Sequence, residues 1–344
     1  MAGEVLTEVR EAHRIDERAL AAYLAERIPG FKPEMTVRQF EGGQSNPTYL
    51  LSSGGRDYVM RKKPPGRLLA TAHQVEREYR IMTALRDTRV PVPRTFVLCE
   101  DPALIGTPFF VMEFARGRLL RDRSLPDLSP ERRRAIYMEM CRVLAELHAV
   151  RPEAVGLADY GKPGNYFKRQ IERWTRQYLD SKTEEVESME ELMKWLPANM
   201  PDDDSDGIVH GDFLLNNMIF DPEQDRIIAV IDWELSTLGH PLADLAYNCM
   251  PYHQNRGGGS LSELTHTGIP SEEEYVAHYC EISGRKKGIE NWNFYLAFSF
   301  FRYASIIQGV YKRGLQGNAS SQSARGMWGV VQAVGDIGWG LARR

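Results

Sequence analysis

The segment His210-Gly211-Asp212-Phe213-Leu214-Leu215-Asn216-Asn217 sets an acid and an amide at a spacing that suits one kind of reaction. Asp212 can accept or orient the proton of an attacking hydroxyl. An Asn five positions later and the second Asp of Ile231-Asp232-Trp233-Glu234 offer oxygen atoms to Mg2+. That hard cation takes oxygen ligands and leaves its other positions to phosphates and water. Base, amide and second carboxylate are the working parts of phosphoryl transfer. The count Asp-x-x-x-x-Asn selects Asn217 over its neighbour Asn216. Simple turn caps would explain Asp212 and Asp232 singly, but not three residue types coinciding around one hairpin.

The hairpin is legible in two apolar runs, 216–220 and 227–231, split by Asp221-Pro222. Upstream, residues 36–40, 48–51, 58–61 and 109–112 read as strands. Turns rich in Gly, Ser, Asn and Pro stand at 42–47 and 52–55, and Gly117 ends the last strand. Val75, Tyr79, Met82 and Leu85 recur with helical period, the single helix expected in this first third. Beyond it the pattern is helical. Ser129 caps a helix with Pro130 first and Glu131 in the opening turn, and its apolar face is Ile136, Met140, Val143 and Leu147. Residues 170–195 read as one helix, and helices rich in aromatics run from Ser271 onward. Strands segregated from helices imply an α+β fold. Residues 1–115 form a small β-rich N-lobe and residues 116–344 a larger, mainly helical C-lobe with one embedded hairpin. That segregation argues against a Rossmann fold, as does the lack of a G-x-G-x-x-G after a strand, and no G-x-S-x-G is present for a hydrolase elbow.

Composition narrows the class further. The 344 residues are 42% hydrophobic and 26% charged, with a net charge of −4. That suits a large core and leaves no bulk positive charge to hold nucleic acid. Cys99, Cys141, Cys249 and Cys280 lie far apart with no C-x-x-C pair, so free buried thiols are expected rather than zinc or redox chemistry. The N-terminus carries early acids and no apolar core of a signal peptide, and no apolar run approaches the ~20 residues of a membrane span. A cytoplasmic protein with no membrane partner is expected, and a homodimer is left open.

The run from His210 to Glu234, followed by Gly239-His240-Pro241-Leu242-Ala243-Asp244-Leu245-Ala246, resembles the aminoglycoside phosphotransferase and choline kinase superfamily. The resemblance covers roughly residues 30 to 310. It implies a bilobal protein-kinase-like fold, ATP as donor, Asp212 as catalytic base, and Asn217 and Asp232 as Mg2+ ligands. Asp244 would fix the loop after the metal site. His240 stands where the family often has Asp, and a turn role is expected for it. Two departures from protein kinases point to a small-molecule hydroxyl acceptor. Gly211 replaces the Arg that answers an activation-loop phosphate, and few residues separate Asp232 from Gly239.

Nucleotide-facing residues are less sharply marked. Glu41-Gly42-Gly43-Gln44-Ser45-Asn46 joins two strands; it reads as a plain turn or as a phosphate cover with Ser45 and Asn46 as donors, and the resemblance favours the second. Arg61, Lys62 and Lys63 are adjacent, and strand alternation alone leaves the phosphate-holding cation undecided. The resemblance favours Arg61, where Lys is usual. Taking Val75 as zero, Glu78 falls near 300° and inside the apolar stripe, while Glu76 falls near 100° and outside it, at about 100° per residue. A carboxylate on an inward face needs a partner, so Glu78 is expected to pair with Arg61. Phe110-Val111-Met112-Glu113-Phe114-Ala115 resembles the hinge at which main-chain atoms, here of Glu113 and Ala115, bind adenine. His148 reads as a packed histidine, and Glu234 as a salt-bridge partner rather than a ligand of a second metal.

The acceptor is where readings diverge. Ten acids crowd residues 180–206 and nine bases residues 285–344. An acidic cleft would suit a polyamine such as an aminoglycoside; a basic one would suit a phosphate-bearing acceptor, unless both stretches are solvated faces. Gln44-Ser45-Asn46-Pro47-Thr48-Tyr49, Tyr58 to Gly66, Asp232 to Thr237 and Gln316-Gly317-Asn318-Ala319 are similar to kinase domains joined to acyl-CoA dehydrogenases. That similarity implies a hydroxyacyl-CoA acceptor, with Arg302, Lys312 and Arg313 near Tyr295, Phe298 and Tyr303 facing its anionic part. An aminoglycoside phosphotransferase and a non-catalytic nucleotide-binding kinase fold are the alternatives.

Overall fold

The computed structural model describes residues 5–41, 46–64, 74–255, 259–316 and 327–344. In chain order its strands and α-helices are β1 (Leu6–Thr7), α1 (Glu17–Arg27), β2 (Met35–Phe40), β3 (Thr48–Ser53), β4 (Arg56–Lys62), α2 (Val75–Leu85), β5 (Thr95–Cys99), β6 (Phe109–Glu113), β7 (Arg118–Leu119), α3 (Pro130–Ala149), α4 (Tyr166–Ser181), α5 (Glu187–Ala198), β8 (Gly207–Val209), β9 (Met218–Phe220), β10 (Ile227–Val230), β11 (Thr237–Gly239), α6 (Pro241–Cys249), α7 (Glu272–Ser283), α8 (Trp292–Leu315) and α9 (Trp328–Ala342). The fold is α+β, and the chain divides into two units. The first is Met1–Arg121 with Val155–Leu157 and Leu214–Ser236, and the second is Asp122–Ala154, Ala158–Phe213 and Thr237–Arg344.

The first unit is built on an antiparallel six-stranded sheet of order β1-β2-β3-β4-β6-β5. Alternation along β4 sends Tyr58 and Met60 into one core, shared with Leu20, Leu24, Leu51, Phe109 and Val111. Val59 and Arg61 therefore face the other way. Lys62 turns with Met60, and its Nζ donates to the Ile105 carbonyl at 3.1 Å. Lys63 pairs with Glu76 at 2.8 Å. Two of the three adjacent cations thus serve the fold around them, and Arg61 points away from this core.

Helix α2 buries Val75, Glu78, Ile81, Met82 and Leu85, so the observed stripe adds Ile81 to the expected one and leaves Tyr79 at its edge against Phe110. Helix α1 was not anticipated. Its buried face is only Leu20, Ala21 and Leu24 among charged residues, and its start is fixed by the Asp16 carboxylate accepting the Ala19 N–H at 2.9 Å. A second antiparallel sheet, β10-β9-β7, completes this unit. Gly117 lies where a Cβ would come 2.2 Å from the Phe220 carbonyl, so no larger residue fits beside β9.

In the second unit α4, α5, α6 and α9 pack around the mostly buried α8, α3 packs on α7, and β11 and β8 form a two-stranded sheet. Helix α3 starts as expected, with the Ser129 hydroxyl accepting the Arg132 N–H and Ile136, Met140, Val143 and Leu147 buried. The helix expected over 170–195 is instead two, α4 and α5. The Gln308 side chain explains the break. Its Nε2 donates to the Ser181 carbonyl at 2.8 Å and to Thr183 Oγ1 at 3.1 Å, capping α4 from a residue far away in sequence. All four cysteines are free and buried. Among the described residues no helix is long and apolar enough to cross a membrane.

Candidate active site

In the first unit one guanidinium organises the acids around it. Arg61 Nη1 lies 2.8 Å from Glu78 Oε2 and 3.2 Å from Asp232 Oδ1. Its Nη2 reaches the same Asp232 oxygen at 3.3 Å. The Asn46 amide donates to Glu78 Oε1 at 3.1 Å, so this residue, expected as a phosphate donor, spends one N–H on the carboxylate behind Arg61. Ser45, Gly42 and Gly43 lie outside the described residues. Burial acts against the charge on Arg61, but Glu78, then Asp232 and Glu234, more than reverse it and raise its pKa. Burial pushes the Glu78 carboxyl up to about 7; Arg61 pulls it down, Asp232 and Glu234 push it up, and the Asn46 hydrogen bond lowers it.

Glu78 therefore holds a proton more tightly folded than unfolded. Its contribution to stability is complete below its ordinary value near 4.5 and is lost as pH rises toward about 7. The melting temperature of the ligand-free protein should fall from pH 5 to pH 7 more steeply than that of Glu78→Gln. Parallel curves would rule out this carboxyl as the cause.

Asp232 has φ 66° and ψ 56°. A left-handed non-glycine residue costs roughly 1–3 kcal/mol and clusters at functional sites. The Ile231 N–H, one residue earlier, donates to the Asn217 carbonyl at 2.9 Å, which ties the two expected metal ligands together. Asn217 and Asp232 line one cavity of about 240 Å3 together with Arg61, Glu113 and Ala115. Phe40, Val59, Met112, Leu119, Ile219 and Ile231 supply its apolar walls. The Glu113 N–H is taken by the Arg94 carbonyl at 2.7 Å, so a ligand contact at Glu113 falls to its carbonyl. An amide oxygen beside one carboxylate is a donor set that fits Mg2+ arriving with phosphates.

Asp212 belongs to the second unit, where its loop is pinned on both sides. The Asp244 carboxylate accepts the His210 N–H at 2.5 Å and the Gly211 N–H at 2.8 Å. Burial opposes the charge on Asp244, but His148, His210 and the Gly211 N–H together hold its pKa below the ordinary value. Arg302 Nη2 donates to the Gly211 carbonyl and Asn248 Nδ2 to the Phe213 carbonyl. The Asp212 N–H donates to His210 Nδ1. Gly211 has φ 84°, a left-handed conformation that suits glycine and not the Arg of protein kinases.

Sequence reasoning missed Tyr247, whose hydroxyl hydrogen-bonds Asp212. Burial first, then the Asp212 charge, raises the tyrosine pKa. Its place one helical turn after Asp244 on α6 was the available signal. Arg302, expected to meet substrate, is buried instead, with its guanidinium over the rings of Trp174 and Tyr247.

The other polar candidates have packing roles. His148 Nδ1 meets the Tyr279 hydroxyl at 2.7 Å. His240 caps α6 by accepting the Leu242 N–H, and its Nε2 lies 3.3 Å from Asp203. Part of the acidic stretch serves its neighbours. Asp204 and Asp206 accept the Asn165 and Gly164 N–H groups, and Glu190 and Glu191 pair with Lys182 and Lys194.

A buried pair between Arg61 on a small antiparallel sheet and Glu78 on the helix packed beside it, with a helical unit bearing the Asp212 loop, defines a protein-kinase-like fold. The chain belongs to the phosphotransferase enzyme family, whose model matches residues 36–278. It is 47% identical over 342 residues to a probable acyl-CoA dehydrogenase of Arabidopsis thaliana, covering 93% of this chain and 42% of that protein. Curated relatives are longer, and the chain spans between 32% and 45% of their lengths. A Ralstonia eutropha protein provisionally assigned as an aminoglycoside phosphotransferase has a crystal structure 47% identical, with TM-score 0.88 over 96% of this chain and 99% of that one. A spectinomycin phosphotransferase in complex with ADP and spectinomycin shares the fold at 13% identity, TM-score 0.62, over 96% and 99% of the two chains.

Proposed function

We propose that the protein is an ATP- and Mg2+-dependent kinase that phosphorylates a hydroxyl of a small molecule, with a hydroxyacyl-CoA as the acceptor. The observation that carries this reading is the convergence of Arg61, Asn217 and Asp232 on one cavity that also includes Glu113 and Ala115. The ADP bound to the spectinomycin phosphotransferase supports the donor. The acyl-CoA dehydrogenase name of the relatives supports the acceptor.

In this reading the apolar walls enclose adenine, whose edge meets main-chain atoms of Glu113 and Ala115. Arg61, braced by Glu78 and through it by Asn46, holds the α- and β-phosphates as a guanidinium fork. Ser45 adds a phosphate donor. Asn217 and Asp232 would hold Mg2+, which supplies charge neutralisation on the phosphates. Asp212 takes the proton of the acceptor hydroxyl as its oxygen bonds to the γ-phosphorus. The bond from that phosphorus to the β–γ bridging oxygen breaks, and ADP leaves. Tyr247, Asp244 and Arg302 hold the base in place.

Thermal shift tests the nucleotide half. Saturating ATP with Mg2+ at 100-fold over Kd should add about 2.7 kcal/mol of stability. Asp232→Ala should lose the part of the shift that depends on Mg2+. A wild-type protein indifferent to ATP and Mg2+ would contradict the reading.

A further inference from the structure

Helix α8 carries a line of residues away from the catalytic loop. At about 100° per residue, Arg302, Gly309 and Arg313 fall within about 40° of one another on its surface. Arg302 stands at the near end, bonded to the Gly211 carbonyl next to Asp212. Two turns further on, this face borders a groove against α4 of about 460 Å3. Arg173, Arg176, Lys312 and Arg313 line it, with Gly309 among its walls and Asp180 as the acid among the described lining residues.

Among the described residues no salt bridge to a carboxylate takes up the cationic charge of this groove. Lys312 donates to the Asp180 main-chain carbonyl at 2.5 Å rather than to a carboxylate. Arg173 lies over Trp174 at 5.2 Å. Among the described residues Arg173, Arg176 and Arg313 have no carboxylate partner. Arg176 and Arg313 are exposed. Three guanidinium groups and one ammonium facing a single carboxylate leave a net positive groove, and guanidinium groups match the paired oxygens of phosphates.

Helix rise sets a scale. Gly309 lies about 10 Å and Arg313 about 16 Å along the axis from Arg302, at 1.5 Å per residue. The geometry points to a phosphate-binding subsite between α4 and α8 that anchors the phosphorylated head of the acceptor. The acceptor would be an elongated molecule that reaches from the catalytic loop to this groove. The Asp212 end of this statement rests on the kinase reading above; the groove itself does not.

Calorimetric titration of the full chain tests it, with coenzyme A as probe of the phosphate-bearing head. Wild type is compared with the double variant Arg176→Ser/Arg313→Ser, and Mg2+-ATP is titrated into the same samples. Coenzyme A should bind wild type and bind the variant at least tenfold more weakly, with ATP affinity unchanged. Adenosine 3′,5′-bisphosphate should show the same dependence on the two arginines. The proposal is overturned if wild type does not bind coenzyme A, if the variant binds it equally well, or if ATP affinity falls in parallel. It is also overturned if inorganic phosphate alone reproduces the effect, which would make this a free-phosphate site. Failure of wild type to bind ATP would strike the kinase reading and leave the groove result standing.

Discussion

Asp212→Asn should bind Mg2+-ATP as tightly as wild type and transfer its phosphate about 10²–10⁴-fold more slowly, the usual worth of a positioned general base. The substitution is nearly isosteric, and an amide oxygen still accepts the Tyr247 hydroxyl that meets Asp212. The main chain around it is held by Asp244, Arg302 and Asn248, none of which depends on the Asp212 charge. What disappears is a carboxylate able to take a proton. Single-turnover transfer separates this from a structural defect: KM for ATP should stay within a few-fold while kcat collapses. A fall in kcat matched by lost ATP affinity would mean that Asp212 acts on nucleotide binding instead.

Arg61→Met should raise KM for ATP at least tenfold and destabilise the protein by about 3–5 kcal/mol, the range for removing one partner of a buried ion pair. Glu78 is 1% exposed, and after the change the Asn46 amide still answers one of its oxygens while the other loses the guanidinium. Part of that cost is the protonation forced on the buried Glu78 carboxyl once Arg61 no longer lowers its pKa, so Glu78→Gln in the same background should recover part of the stability. It should recover none of the ATP affinity, because the guanidinium is still missing. Recovery of both would assign Arg61 to structure alone.

What could be read in advance follows from how local each signal is. Asp212, Asn217 and Asp232 sit in one short stretch around a hairpin, so their spacing was visible in the chain. Glu78 was legible because a helical angle needs only its own helix, and the structure places it against Arg61 at 2.8 Å. The choice among Arg61, Lys62 and Lys63 was not legible from alternation, which says that faces differ but not which face is the core. The packing of Tyr58 and Met60 with Leu20 and Leu24 shows which one it is. Long-range contacts escaped altogether. Gln308 ends α4 from another helix, and Arg302 turns inward to Gly211 rather than outward to substrate. Neither partner can be guessed from neighbours in sequence. The fold class was clear because strands and helices are segregated along the chain, whereas α1 was hidden by its charged residues and short buried face.

The central claim, phosphoryl transfer to a small-molecule hydroxyl with Asp212 as base, is tested most directly by ADP release across an acceptor panel. The panel holds hydroxyacyl-CoA thioesters and aminoglycosides, with Mg2+-ATP as donor and Asp212→Asn as the blank. The account predicts Mg2+-dependent ADP release stimulated by a hydroxyacyl-CoA, with stoichiometric phosphorylation of its hydroxyl, and slowed about 10²–10⁴-fold in the variant. Stimulated release at the wild-type rate in Asp212→Asn, or a wild-type protein that releases no ADP with any acceptor, would contradict it.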